Sequence, residues 1–438
     1  MDKSSQTNRR RFLSRTLALS AAGVASPMLI PRSALAQGDT PGANDRIGVA
    51  GIGVGRQGGW IFRRAAGHSL TQAVCVCDVN QPRAEGVAKA VGAKDVYQDY
   101  RKVLDRKDVD AITTATPEHW RANICIAAAL AGKHVYAEKP MTLTIPEGRL
   151  MVKAARRTGI TFQVGSQQRS QRENFIGCEF IRNGGLGKIK EVFSANYESP
   201  WLCDLPEEPV PAGLDWEMWC GPTPLVPYNS QLYVPRGQPG WLSFRPYSGG
   251  EMTGWGTHGF DQIQWALGLD STGPTEILVD GPALEMPTYS KPEGSGRGNS
   301  ICSQPRLSYK YANGITVRLE SGNRGGGIFV GEKAKMEVFR GRITSNPAEL
   351  ATDLLKEHPR QNEDHVGNWL ECAVSGERPI ADVEFGHRSA SVCHLLNLAR
   401  LLGRNLKWNP DTEQFIGDDE ANSMLTRPIR KGYEWPEV

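Results

Sequence analysis

Glu138-Lys139-Pro140 stands at the carboxyl end of a short apolar run, Val135-Tyr136-Ala137, which enters from a turn at Gly132. Such a run reads as a strand, and in an open parallel sheet ligands bind just outside the carboxyl ends of the strands. An ammonium group at that place can hold an oxygen and stabilise charge developing on it. On local sequence alone Lys139 is equally a solvated charge at a strand end, since lysines are mostly exposed. A nucleotide-binding pattern upstream and a histidine motif downstream, around His258, place Lys139 beside a nicotinamide. A lone histidine is more often structural, but imidazole titrates near neutrality and so suits proton transfer.

The upstream pattern is Gly51-Ile52-Gly53-Val54-Gly55-Arg56-Gln57-Gly58-Gly59, which follows the strand-like Ile47-Gly48-Val49-Ala50. Two registers satisfy it. Gly53, Gly55 and Gly58 fit G-x-G-x-x-G in full, whereas Gly51 and Gly53 lie closer to the strand and leave Arg56 in third place. In both, glycines let the backbone turn tightly and approach a pyrophosphate at the N-terminus of the helix, which is expected from Trp60. The alternative is a glycine-rich turn with no ligand. The next strand, over 73–77, ends at Asp78. A carboxylate there accepts hydrogen bonds from a ribose diol and repels a 2′-phosphate, favouring NAD over NADP. Asp78 also suits capping of the turn that follows, and the two roles are compatible.

Residues 46–165 alternate strands and helices as a parallel sheet requires. A strand over 110–115 ends at Thr116-Pro117-Glu118-His119, and a helix then runs to Ala131. Thr144-Ile145-Pro146-Glu147 is a capping box that opens a helix ending at Gly159. Residues 161–164 close the sheet. Beyond Arg169 the pattern changes. A helix is expected over 171–183, a strand over 188–198, and an antiparallel meander over 276–279, 306–311, 315–320, 328–330 and 335–339. Helices follow over 363–375 and 385–402. Residues 199–248 are rich in Pro and Trp, and read either as an irregular wrap or as aromatic walls of a sugar pocket.

The first 36 residues read as an address. Arg9-Arg10-Arg11-Phe12-Leu13, a short apolar stretch over 16–30 and Ala34-Leu35-Ala36 resemble a twin-arginine export leader with its cleavage site. The apolar stretch is broken by Ser20, Gly23, Ser26 and Pro27, and a spanning helix needs about 20 predominantly apolar residues. A periplasmic or otherwise exported protein with no lasting membrane span is therefore expected. Of 51 Lys/Arg and 48 Asp/Glu, the leader holds six and one, which leaves 45 and 47 and a formal charge of −2. With no basic block interleaved with aromatics, nucleic-acid binding is not expected. The nine cysteines show no metal-ligand spacing and no disulfide framework, so no metal site is expected. The length after the leader calls for two domains, over 46–165 and 166–438.

Taken together, the glycine turn, Thr116-Pro117-Glu118-His119, Gly132-Lys133-His134-Val135, Glu138-Lys139-Pro140, Val164-Gly165-Ser166-Gln167-Gln168-Arg169, Gly249-Gly250-Glu251-Met252 and Gly256-Thr257-His258 resemble the Gfo/Idh/MocA oxidoreductases. The resemblance spans nearly all of the chain after the leader. It implies a Rossmann domain followed by an α/β domain with a large open, mainly antiparallel sheet, through which the chains form homo-oligomers. It also implies hydride transfer between nicotinamide and a secondary hydroxyl of a sugar, cyclitol or related carbohydrate. Lys139 would hold the substrate oxygen, and His258 would be its acid/base. Gly51, Gly53, Gly55, Arg56, Gly58, Asp78, Thr116, Pro117, His119, Glu138 and Gln168 would bind the dinucleotide, which export in folded form would leave tightly held. Two positions depart from the family pattern. Gly254 stands where many relatives carry an aspartate, and Arg121 where a histidine is common. Some relatives hydrolyse by transient oxidation of the sugar, but those replace the lysine that is intact here. A non-catalytic carbohydrate-binding protein with a vestigial nucleotide site is the remaining alternative.

Overall fold

The computed structural model describes residues 42, 45–234, 240–290, 300–358 and 363–438; the expected leader lies outside them. The first half consists of β1 (Ile47–Ile52), α1 (Arg56–Ala66), β2 (Thr71–Cys77), α2 (Gln81–Val91), β3 (Asp95–Tyr97), α3 (Tyr100–Leu104), β4 (Ala111–Thr114), α4 (Glu118–Leu130), β5 (His134–Ala137), α5 (Ile145–Thr158) and β6 (Phe162–Val164). Every pairing is parallel, in the order β3-β2-β1-β4-β5-β6. The order reverses between β1 and β4, and a crevice for a ligand opens at such a switch point. Both faces of the sheet are covered. Ile112, Val135 and Ala137 pack under α4 and α5, whereas Val49, Val76 and Tyr136 pack under α1 and α2. Cys75 and Cys77 are small buried residues on the first of these faces, and all nine cysteines are unpaired.

Local signals explain most boundaries. Thr144 and Glu147 form the capping box of α5, and Gly159 closes it in the left-handed conformation. Helix α1 begins at Arg56, not Trp60, because the last glycines of the turn already form its first turn.

The second half contains α6 (Arg172–Arg182), β7 (Ile189–Ser194), α7 (Gly256–Leu267), β8 (Glu276–Asp280), β9 (Arg306–Lys310), β10 (Thr316–Leu319), β11 (Gly326–Gly331), β12 (Lys335–Phe339), β13 (Arg342–Asn346), α8 (His365–Ser375), α9 (Val383–Leu402), β14 (Leu406–Asn409) and β15 (Gln414–Phe415). Its nine-stranded sheet has the order β13-β12-β11-β7-β10-β9-β8-β14-β15. The simple meander is corrected at β7, which inserts between β10 and β11, parallel to the first and antiparallel to the second. Alternate residues along these strands are buried, so one face packs against α6, α7 and α9 while the other stays partly exposed. Helix α7 lies close on β11 because glycines meet there. A Cβ on Gly259 would stand 2.6 Å from the Tyr197 hydroxyl, and one on Gly327 would stand 2.6 Å from Ile263.

The boundary at 165/166 does not separate the packing. Val366, Trp369 and Leu370 of α8 enter the core formed by β1, β5 and α1. Gln163 Nε2 donates to the His365 carbonyl at 2.6 Å, and Val164 N–H to that of Ala381 at 2.8 Å. Elements late in the chain thus finish the first sheet. Among the described residues no helix is long and apolar enough to cross a membrane.

Candidate functional site

A cleft of about 540 Å³ runs from the ends of β1 and β2 to the start of α7, within the usual ~300–1,000 Å³ of ligand pockets. Gly53, Gly55, Arg56, Gly58, Asp78, Thr116, Pro117, Glu138, Lys139 and His258 all line it. Gly53 makes the turn at φ +71, where a Cβ would stand 2.5 Å from Thr116. Among the described residues, a Cβ on Gly55 would meet an Arg83 nitrogen no nearer than 3.8 Å. No side chain caps α1, and its first turn has no acidic residue. Free N–H groups behind an uncrowded glycine suit a diphosphate, so the residues present fit a dinucleotide.

Asp78 is buried, and burial raises its carboxyl pKa while Arg83 pulls it down. It accepts from Asn80 N–H at 2.9 Å, which joins the expected turn cap to its place on the cleft, and from Arg83 Nη1 at 3.5 Å. Arg83 also stacks on Tyr233, 5.3 Å from the ring centroid. Arg83 is within reach of a ribose 2′-phosphate by sequence position, whereas Tyr233 carried no sequence signal and becomes visible only when residues 199–248 fold over this edge. There Asp215 N–H donates to the Val79 carbonyl, and Asn80 Nδ2 to the Tyr233 hydroxyl at 3.1 Å. Of the tryptophans in that segment, Trp219 and Trp241 line the cleft. Trp216 instead stacks behind Trp219 at 4.4 Å, and Trp201 lies on Tyr289. Trp219 and Trp241 are thus aromatic walls of the cleft, and Trp216 and Trp201 belong to the irregular wrap behind it.

Glu138 accepts from Gln57 Nε2 at 3.1 Å, Gln167 Nε2 and Lys139 N–H. This ties the glycine turn to the Glu-Lys-Pro segment. Lys139 Nζ donates to the Gly254 carbonyl at 3.1 Å. His258 follows Gly254 by four residues, across the break at Trp255 between two helices, and lines the same cleft as Lys139. Trp255 lies beside the imidazole, at 5.9 Å between ring centroids. Asp261 does not orient His258. Its carboxylate accepts from Arg169 Nε and Nη2 and from Ser389 Oγ.

Three residues expected to touch the dinucleotide stand behind the wall. His119 is corrected to a packing role: it is fully buried, Nε2 donates to the Trp219 carbonyl at 2.9 Å, and burial pushes its pKa down to about 3. Gln168 donates to the Gly325 carbonyl at 2.7 Å. Gly51 leaves room for the Phe62 ring, which a Cβ would meet at 2.7 Å, so it serves helix–sheet packing. Glu118, next to His119, accepts from Ser248 Oγ, Gly249 N–H and Thr253 Oγ, and burial raises its pKa to about 7. It braces the segment that leads to Gly254.

Residues 46–166 match the family described as "Oxidoreductase family, NAD-binding Rossmann fold", and 188–435 match its "C-terminal alpha/beta domain". A levoglucosan dehydrogenase from Pseudarthrobacter phenanthrenivorans is 31% identical over 135 residues, which is 31% of this chain and 34% of that protein. A glycosyl hydrolase family 109 protein from Shewanella pealeana is 27% identical over 202 residues, 42% of this chain and 44% of that one. The chain thus spans less than half the length of these curated relatives. The fold is that of a levoglucosan dehydrogenase solved with NADH and levoglucosan, at a TM-score of 0.56 and 16% identity, covering 83% of this chain and 99% of that one. With a nicotinamide-dinucleotide cradle in its cleft, and with matches that take in both halves, the chain belongs to the Gfo/Idh/MocA family of oxidoreductases.

Proposed function

We propose that the protein is an exported NAD-dependent oxidoreductase that transfers hydride between a secondary hydroxyl of a sugar, cyclitol or related carbohydrate and nicotinamide. The observation that carries this reading is the shared place of Lys139 and His258, which both line the cleft that begins at the glycine turn. A bound dinucleotide supplies the hydride acceptor. The chain's own residues do the rest. The Lys139 ammonium holds the substrate oxygen and stabilises charge as it develops. His258 takes the hydroxyl proton. Trp219, Trp241 and Trp255 wall the cleft against water. The reading is tested by adding a panel of sugars and cyclitols to protein loaded with NAD and following cofactor reduction. If no member of the panel reduces it, the reading fails.

The match to a glycosyl hydrolase family 109 protein supports a second reading, in which the sugar is oxidised transiently, eliminates, and is reduced again on the same cofactor. Product analysis separates the two. Net reduction of cofactor supports the first, and cleavage of a glycoside without net reduction supports the second.

NAD is preferred over NADP on this reading, because the Asp78 carboxylate faces the ribose. Asp78→Ala removes the negative charge and leaves Arg83 beside the same place, 5.3 Å from Tyr233. The ratio of NADP to NAD affinity is expected to rise by about 10-fold or more, since juxtaposed like charges cost several kcal/mol. Calorimetric titration of both dinucleotides checks this, and wild-type protein that binds NADP more tightly refutes the assignment.

The twin arginines ahead of a dinucleotide fold support export in the folded state with the cofactor already held. Changing Arg9 and Arg10 together to Lys is expected to leave the active protein inside the cell. The exported protein should carry nucleotide through purification, and light scattering should give a multiple of the chain mass. Active enzyme outside cells that express the double variant overturns the route.

A further inference from the structure

Two arginines that line the cleft, Arg121 and Arg340, have little negative charge paired to them among the described residues. Arg121, on α4, is 3% exposed and lines the cleft. Among the described residues its guanidinium makes a single hydrogen bond, from Nη1 to the Pro140 carbonyl, and Nε has no partner. The carboxylates that act on it electrostatically are Glu118 and Glu138. Neither hydrogen-bonds to it. Glu118 is taken by Ser248, Gly249 and Thr253, and Glu138 by Gln57, Gln167 and the Lys139 N–H. Burial lowers the pKa of Arg121, as it must for a cation removed from water with little to pair it. A second arginine, Arg340, also lines the cleft. It lies on the Trp255 ring at 5.0 Å and forms no ion pair among the described residues. Its φ of 26 belongs to the two-residue turn Arg340-Gly341 that joins β12 to β13. Arg121 bonds the carbonyl that follows Lys139, and Arg340 lies on the ring beside His258, so both stand where the carbohydrate is to bind. Arg121 also faces Glu118, which Ser248, Gly249 and Thr253 of the second half hold in place.

A neutral sugar would leave the Arg121 guanidinium without a carboxylate partner, and a desolvated cation with so few partners is costly. A carboxylate matches the guanidinium fork and makes hydrogen bonds roughly twice as strong as neutral ones. We infer that the carbohydrate taken by this cleft is a sugar acid, and that Arg121 holds its carboxylate. The inference rests on the oxidoreductase reading for the reaction but makes its own claim about recognition, and the two are separable.

The test uses the protein as purified with its cofactor, and pairs of ligands that differ in the carboxylate alone: glucuronate with glucose, galacturonate with galactose, gluconate with glucitol. Calorimetric binding decides the inference. At least one acid should bind about 10- to 100-fold more tightly than its neutral partner, with the difference shrinking at high salt. Arg121→Gln should erase that difference while leaving the neutral partner's affinity within a few-fold, and Arg121→Lys should keep part of it. Equal binding of acid and neutral members in every pair overturns the inference. So does an Arg121→Gln variant that loses both alike, because that is the mark of a merely structural arginine. Cofactor reduction by the same panel decides the reaction. Arg121-dependent binding of acids without reduction by any member sustains the recognition and sinks the hydride-transfer reading instead.

Discussion

Replacing His258 by alanine is expected to lower turnover of the carbohydrate substrate about 10²–10⁴-fold, the usual cost of removing a general acid/base. Lys139→Ala should be at least as damaging, since it removes the charge that stabilises the oxygen while the proton leaves. Both expectations follow from position. The Lys139 amine donates to the Gly254 carbonyl at 3.1 Å, and His258, four residues on, lines the same cleft. Gly254 lacks the carboxylate found in many relatives, so at this residue it is a backbone carbonyl that anchors the lysine. Dinucleotide affinity should change little in either variant, because on this reading the diphosphate and ribose are held by Gly53, Gly55, Gly58 and Asp78 and not by these two side chains. The double variant should lose less than the product of the two single effects, because both residues serve one oxygen and its one proton. Steady-state kinetics of the three variants, beside calorimetry of NAD binding, check the set. Near-wild-type turnover in either single variant sinks the mechanism, and loss of NAD binding in step with turnover would point to misfolding.

What could be read from the residues was what short-range chemistry dictates. The glycine turn, the apolar runs that became β1, β2, β4 and β5, the capping box of α5 and the placement of Lys139 at a strand end all depend on neighbours within a few positions. Misses came where long-range pairing decides. Asp95–Tyr97 is three residues long and becomes a strand only because β2 offers it an edge. Arg342–Asn346 is too polar to announce itself, yet it pairs residue for residue with β12. The insertion of β7 beside β10 joins residues more than a hundred positions apart. Within the site, His119 and Thr116 look alike on paper as members of one motif. The first turn of α4 then points one ring back into Trp219 and Tyr247 and leaves the other residue on the cleft. Arg121 read as a departure from a pattern, but burial with so few partners is what gives it meaning.

Arg169→Met is expected to destabilise the folded chain by about 3–5 kcal/mol, the cost of breaking a buried ion pair from one side. Arg169 follows β6, is 2% exposed, and makes three hydrogen bonds at 2.9–3.0 Å to Asp261 of α7. Its Nη1 reaches Asp270 at 3.3 Å, and the rings of Trp265 and Phe385 flank it at 5.2 and 4.8 Å. Asp261 also accepts from Ser389 Oγ of α9 at 3.0 Å. One guanidinium therefore joins the end of the first sheet to the helix that carries His258, with α9 bonded to the same carboxylate. Methionine fills much of the same volume but leaves the buried Asp261 carboxylate without its cation and Asp270 with Arg182 alone, at 3.5 Å, so packing loss is the smaller part of the effect. Adding Asp261→Asn to Arg169→Met should therefore recover part of the stability, because it removes the orphaned charge. Chemical denaturation of the three proteins measures this. A single variant within about 1 kcal/mol of wild type, the range of exposed pairs, would show that something other than this arginine fixes α7. A double variant less stable than the single would show that the loss was one of shape and not of charge.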